Sequence, residues 1–299
     1  MISRRKIIFH SSFDMEIQLM PQPYDEGDGP AIILLHGYPF NRSMWREQID
    51  FLSAHGFRAV APDLHGLGEM SDKLQLVADS EKPAPERERQ AEGYRTFTTM
   101  KQMAQGVAAF MDELRIDSAV VCGLSMGSYV AFEFARLFPS RMRALVLAGA
   151  RAQGPDEDEK QSREQQARRI LAEGISFVAD AMLPKVLAPR TLAEKPEVVS
   201  RVREMILRTD RRGAAAAQRG MAARRDYSNE LSDIEATTLI IAGREDGVRK
   251  AKDAEFIRRG IRNSHLEIID DAGHLMNMEQ PEVFNRVLLG FIRKPDRDR

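Results

Sequence analysis

Cysteine is almost missing from this chain. Cys122 is the only one in 299 residues, so neither an intrachain disulfide nor a cysteine metal cluster can form. Set inside an apolar strand, it reads as a small hydrophobe. A surplus of either charge is missing too: 44 Lys and Arg face 45 Asp and Glu, a formal net charge of -1. Such balance argues against a dedicated surface for nucleic acid or for an anionic membrane. No apolar run reaches membrane-spanning length. Ser3-Arg4-Arg5-Lys6-Ile7-Ile8 has the basic start of a twin-arginine export signal, but Ser11, Ser12, Asp14 and Glu16 interrupt the apolar stretch that must follow. A cytoplasmic protein is expected, in which the Asn41-Arg42-Ser43 glycosylation triplet has no role. There is no H-E-x-x-H, no cysteine pair and no glycine loop ahead of Lys-Ser/Thr, so no metal and no cofactor is expected.

What the chain does have is centred on residues 118–138. Ser118-Ala119-Val120-Val121-Cys122 reads as a buried strand, and the apolar spacing from Ala131 to Phe138 reads as a helix stopped by Pro139. Gly123-x-Ser125-x-Gly127 lies between them. A strand that turns this sharply into a helix strains its central residue, and the flanking glycines let the two elements approach. Ser125 is thereby lifted off the sheet at a helix N-terminus, with the Met126 N–H aimed at any oxyanion formed there.

Strand and helix signals alternate through most of the chain, which predicts a mostly parallel sheet covered on both faces. Residues 6–10 and 15–20 are expected as an edge hairpin, where His10-x-x-x-Asp14 is a coincidental match to an acyltransferase motif. Residues 21–29 read as a loop. The strand at 31–35 ends in His36-Gly37-Tyr38-Pro39-Phe40, whose Tyr38 N–H is assigned as the second oxyanion donor. A helix over 43–55 and a strand over 58–61 follow, then Pro62-Asp63-Leu64-His65-Gly66-Leu67-Gly68. The charged, proline-punctuated stretch 74–94 is expected as a surface excursion. A helix over 100–114 and a strand over 144–149 come next. Strand signals then vanish, and 154–233 is expected as a cap of about four helices, leaving 1–153 and 234–299 as the core domain. Strands at 237–243 and 266–269 and a helix opened by Pro281 complete that core.

Parallel sheets carry their sites at the carboxyl ends of the strands. Ser125, Asp246 and His274 each follow a buried strand, in the order Ser…Asp…His used when such a sheet builds a nucleophile, base and orienting acid. Glu245 is the rival to Asp246, since spacing alone cannot orient the loop. Among six histidines, His55 and His265 read as structural or solvated, and His36 and His65 as braces of loops at the site. His36 is retained as a candidate substrate contact. Arg151 is a candidate for binding a substrate carboxylate, against the plainer reading of a cap-anchoring ion pair. Asp270 and Asp271 are expected to stabilise their loop.

These motifs, in this order, make the chain similar over nearly its whole length to the α/β-hydrolase superfamily. The Leu124-Ser125-Met126-Gly127 core, Arg143-Ala144-Leu145-Val146-Leu147-Ala148-Gly149-Ala150-Arg151 and Glu194-Lys195-Pro196-Glu197-Val198-Val199 resemble small carboxylesterases related to 3-oxoadipate enol-lactonases. The pattern is departed from at Glu69-Met70 after Gly68, at Ser128 and in the long 74–94 excursion. The resemblance implies an α/β-hydrolase fold with a helical cap and a cofactor-independent serine esterase or lactonase. Its partner would be a small-molecule ester or lactone, with no nucleic acid or membrane involved. Hydrolysis of a carbon–carbon bond and a small-molecule receptor role stay open as alternatives, as does the choice between monomer and homodimer.

Overall fold

Strands with no polar face need cover on both sides, and parallel pairing through crossover helices provides it. A computed structural model describes residues 23–73 and 98–293. The strands expected at 6–10 and 15–20 and the excursion at 74–94 lie outside the described residues.

The first part of the core consists of β1 (Tyr24–Glu26), β2 (Ala31–Leu35), α1 (Arg46–Ala54), β3 (Arg58–Ala61), α2 (Met100–Glu113), β4 (Ala119–Leu124), α3 (Met126–Leu137) and β5 (Met142–Ala148). Five helices follow with no strand among them: α4 (Glu157–Glu173), α5 (Ser176–Val186), α6 (Pro189–Glu194), α7 (Pro196–Leu207) and α8 (Arg211–Ala222). The chain then returns to the sheet with β6 (Thr238–Gly243), α9 (Ala251–Gly260), β7 (Ser264–Ile269), α10 (Met276–Glu279) and α11 (Pro281–Ile292). The strands lie in the order β1-β3-β2-β4-β5-β6-β7, with β1 antiparallel to β3 and the remaining neighbours parallel. Chain direction across the sheet therefore reverses between β2 and β4. That is the switch point, and it opens a crevice beyond the carboxyl ends of those two strands.

Every residue of β2, β4 and β6 is buried, as strands covered on both faces must be. Helix α3 lies directly behind β4, and its Tyr129, Phe132 and Phe134 are among the largest fully buried side chains. Each such side chain contributes about 1.5–3 kcal/mol through burial. The same helix supports the serine at its head, so the core and the site share one element.

Three expectations change. Residues 21–29 are not wholly a loop, because Tyr24–Glu26 pairs along β3 and Arg58 holds Asp25 with bonds of 2.8 and 2.7 Å. The helix expected over 43–55 opens as a 3-10 turn, Arg42–Trp45, because the Asn41 side chain accepts from the Ser43 N–H and tightens that turn. The insertion holds five helices rather than about four. The extra one, Pro189–Glu194, has six residues and buries only Thr191, so it carries no apolar period to read. Within the insertion α4 packs on α8 and α5 on α7. The Thr209 hydroxyl donates to the Pro39 carbonyl at 2.6 Å, tying this layer to the loop after β2. Among the described residues no helix is long and apolar enough to cross a membrane.

Candidate active site

Strand β4 runs into α3 through Ser125, held at φ 55 and ψ -113. That left-handed geometry is strained for any residue with a β-carbon. The neighbours leave no alternative. A β-carbon on Gly123 would lie 2.2 Å from the Gly127 carbonyl oxygen, and one on Gly127 would lie 2.2 Å from that of Leu35. Only glycine at both positions lets strand, turn and helix meet this closely. The Ser125 N–H donates to the Ala148 carbonyl at 2.8 Å, and the Ser128 hydroxyl donates to the Ser125 carbonyl. Ser128, a departure in the sequence pattern, therefore stiffens the turn.

Met126 is the first residue of α3, where N–H groups have no intrahelical partner and the dipole favours negative charge. Tyr38 stands across the switch point in the loop after β2, and the Tyr38–Pro39 peptide is cis. Its hydroxyl is buried beside Gln218 and Arg163 without a hydrogen bond of good geometry, and burial raises its pKa.

On the other side of β5 the loop after β6 presents Asp246, and the loop after β7 presents His274, respectively 5% and 2% exposed. His274 Nδ1 lies 2.7 Å from Asp246 Oδ2. The second oxygen, Oδ1, accepts from the N–H groups of Val248 and Arg249 at 2.7 and 2.8 Å. A hydrogen bond from Nδ1 to a carboxylate oxygen needs the proton on Nδ1, and in the neutral ring that tautomer leaves Nε2 as the acceptor. Glu245 is exposed, so the contact with His274 is made by Asp246 and not by Glu245. Gly149, at φ 54, is so close to the ring that a β-carbon there would meet His274 Cε1 at 2.8 Å. Ser125 bonds to Ala148 and His274 packs on Gly149, so one strand end brings both to the same place. The hydroxyl and the imidazole are not hydrogen-bonded to each other in this geometry. Such bonds are often long before substrate arrives.

His36 has to be corrected as a substrate contact. Fully buried, it places Nδ1 2.9 Å from the Gly37 carbonyl, and Nε2 accepts from the Leu64 N–H at 2.9 Å. Burial lowers its pKa, opposed by the Asp63 charge and the Gly37 bond, so the ring is a neutral brace between two loops. Asp63 works alongside it, accepting from the Arg42 N–H and guanidinium at 2.7 Å each and from the Glu69 N–H at 2.9 Å. Arg151 lies 3.5 Å from Glu159 on α4, a loose ion pair. Asp270 and Asp271 pair outward with Arg244 and Arg190.

The sequence reading missed a cationic cluster one helical turn beyond Ser125. Glu159 also pairs with Arg163 at 2.8 Å and with the fully buried Arg224 at 2.9 Å. The Arg224 guanidinium stacks 4.6 Å from the Tyr129 ring centroid, and Arg249 donates to the Tyr129 hydroxyl at 2.5 Å. The Nε atoms of Arg224 and Arg249 are buried without a partner, as is Gln153 Oε1. No motif marks these residues, because their partners are far apart in the chain. Among the described residues no cluster of three or more His, Cys, Asp or Glu could hold a metal ion. A cavity of about 690 Å³, lined by Phe132, Arg136, Met142, Tyr227 and Ile234, lies at the opposite end of α3 and touches none of the site residues.

Residues 30–281 match the family described as alpha/beta hydrolase fold. The chain is 26% identical to 3-oxoadipate enol-lactonase 2 of Acinetobacter baylyi over 279 residues, covering 93% of this chain and 94% of that protein. A solved thermophilic esterase from Thermogutta terrifontis, with malate bound, superposes with a TM-score of 0.80 at 34% identity, covering 91% of this chain and 92% of its own. The enol-lactonase from Burkholderia xenovorans LB400 shares the fold, with a TM-score of 0.76 at 24% identity over 91% of this chain and 96% of its own.

Proposed function

The chain belongs to the α/β-hydrolase family, and within it we propose a serine hydrolase that cleaves carboxylic esters or lactones through an acyl-enzyme on Ser125. The observation that carries this reading is the buried His274–Asp246 pair, 2.7 Å apart, packed on the strand end that also holds the Ser125 N–H. The relatives named enol-lactonase and esterase point the same way.

In the proposed reaction His274 Nε2 takes the Ser125 proton as Oγ attacks the acyl carbon. Asp246 keeps the ring in the productive tautomer and stabilises the imidazolium. The carbonyl oxygen becomes an oxyanion facing the N–H groups of Tyr38 and Met126, each such donor contributing about 3 kcal/mol to lowering the barrier. Collapse breaks the bond to the leaving oxygen, which takes the proton from His274. Water, deprotonated by the same nitrogen, then releases the acid and regenerates Ser125. For a lactone the leaving alcohol stays attached to the acyl group and departs with it. The helices of 154–233 act as a cap that excludes water and limits acyl size.

We also propose that Arg151 belongs to a cationic subsite for a carboxylate on the acyl portion. Glu159 faces Arg151, Arg163 and Arg224, and its charge also acts on Arg249; the charges of Asp226 and Asp253 reach only Arg151 and Arg249 of these four arginines, so four cations meet three carboxylates. Positive charge is left over next to the site.

The test is hydrolysis of p-nitrophenyl esters from acetate to decanoate by wild type and Ser125→Ala. Turnover that peaks at short or medium chains and disappears in the variant is expected. Activity that survives Ser125→Ala rejects the acyl-enzyme. A wild type inert on every ester favours carbon–carbon hydrolysis or a receptor role.

A further inference from the structure

Glu279 closes α10 and is fully buried, with no cation paired to its carboxylate among the described residues. Burial raises its pKa against the pull of four donors. Those donors come from two directions. Oε1 accepts from the N–H groups of Gly273 and Leu275, the two neighbours of His274, at 2.9 and 3.2 Å. Oε2 accepts from the Ala188 N–H at 2.7 Å and the Thr191 hydroxyl at 2.8 Å, both in the helical insertion. A second tie runs parallel to the first: the Val186 carbonyl, at the end of α5, accepts from the N–H groups of His274 and Leu275 at 2.9 and 3.2 Å. Lys195 adds a third, donating to the Glu279 carbonyl at 2.5 Å.

Apolar packing could join two segments without the desolvation cost of a buried carboxylate. What such packing cannot do is set the angle of a loop through directed, charge-assisted bonds. We propose that Glu279 is a positioning residue, which sets the His274 ring against Asp246 by clamping both flanks of the histidine to residues 186–191 of the cap. The inference rests on the reading of His274 as the base. It goes beyond that reading in making the cap part of the base's support.

The experiment compares Glu279→Gln and Thr191→Val with wild type. A glutamine amide can accept on one side only, and its NH2 group faces the Ala188 N–H or the histidine loop. Thr191→Val removes a single donor and leaves the charge in place. Two readouts are taken on folded protein, with circular dichroism and melting temperature as controls. The first is kcat and KM on the best p-nitrophenyl ester. The second is the low-field proton resonance of the His274 Nδ1–H···Asp246 bond, assigned by its loss in His274→Ala.

Glu279→Gln is expected to lower kcat roughly 10- to 100-fold with KM nearly unchanged, as a displaced catalytic group does, and to broaden or erase the resonance. Thr191→Val is expected to do the same more weakly, and it carries the test if Glu279→Gln does not fold. A folded Glu279→Gln with wild-type kcat and an intact resonance overturns the proposal. So does a loss of activity that only mirrors the unfolded fraction. If Ser125→Ala proves as active as wild type, the reaction reading falls, and the resonance alone still decides whether Glu279 holds His274.

Discussion

Substituting Gly149 by alanine tests the placement of the imidazole with a single methyl group. Gly149 is at φ 54, and a β-carbon there would sit 2.8 Å from His274 Cε1 and 2.9 Å from Nδ1. Carbon atoms in ordinary contact are about 3.5–4.0 Å apart, so the ring must withdraw by about 1 Å. Withdrawal stretches the 2.7 Å bond to Asp246, since the loop behind the ring is pinned at Gly273, where even a β-carbon would lie 2.7 Å from the Ala188 nitrogen. A 1 Å misplacement of a reacting group costs about 10²-fold in rate. The left-handed backbone adds about 1–2 kcal/mol of destabilisation, a fall in Tm of roughly 2–8 °C for a chain of this size. The expected result is therefore a kcat about 100-fold lower in a protein that still melts cooperatively. Gly106→Ala is the control: it lies within α2, a β-carbon there meets nothing within 4 Å, and the change should raise Tm slightly without touching kcat. The assay is p-nitrophenyl ester hydrolysis alongside thermal melting. A Gly149→Ala protein with wild-type kcat would refute the argument, because the imidazole would then not be the group whose position controls the rate.

Asp246→Asn keeps an acceptor for the Val248 and Arg249 N–H groups but turns an amide toward Nδ1, forcing the wrong tautomer. An expected loss of about 10⁴-fold in kcat with little change in Tm would be seen in the same assay. The Glu159 carboxyl is pushed up by burial, yet Arg224 and Arg163 outweigh that and hold it at about 2, below its ordinary 4.5. A depressed pKa stabilises the fold fully above 4.5, and that contribution is lost as pH falls toward 2. The Tm gap between wild type and Glu159→Gln should be constant near neutrality and close in that acid window; a gap independent of pH rejects the pairing. For the cationic subsite, the mono-p-nitrophenyl ester of glutaric acid should be favoured over p-nitrophenyl valerate by about tenfold or more in kcat/KM. Arg151→Met should erase that preference while sparing the neutral ester.

Ser125, the 245–246 loop and His274 stand out as candidates because each follows a local signal, a buried strand. A buried strand needs only four to eight apolar residues to be seen, and the loops that follow such strands in a parallel sheet gather at one edge. The glycines around Ser125 were legible for the same reason: the turn that needs them is made by their own neighbours. The choice between Glu245 and Asp246 is not legible, because spacing does not orient a loop; Asp246 is turned inward by its bonds to His274 and to the Val248 and Arg249 N–H groups. His36 misled for a related reason. A polar residue at a strand end has the address of a ligand contact, yet its Nε2 is taken by the N–H of Leu64, 28 residues on.

The ties that hold the site together are of that second kind, and periodicity cannot find them. Periodic patterns report where apolar side chains go, because burial repeats along an element. A buried carboxylate or guanidinium is a single exception to the pattern, and its sequence context is the same as on a solvated face. Glu279 reads as one more charged residue between Met278 and Gln280, while its donors Ala188 and Thr191 lie 91 and 88 residues earlier. Arg224 stands beside another arginine with nothing in the sequence to set it apart, yet its guanidinium is fully buried against Glu159, 65 residues earlier. Each is satisfied only because segments far apart in the chain arrive at the same place by separate routes. The proposed nucleophile, acid and base stand at strand ends that the order of strands brings together, whereas the proposed seat of His274 depends on polar bonds between the helical insertion and the sheet domain, which exist only once both have folded.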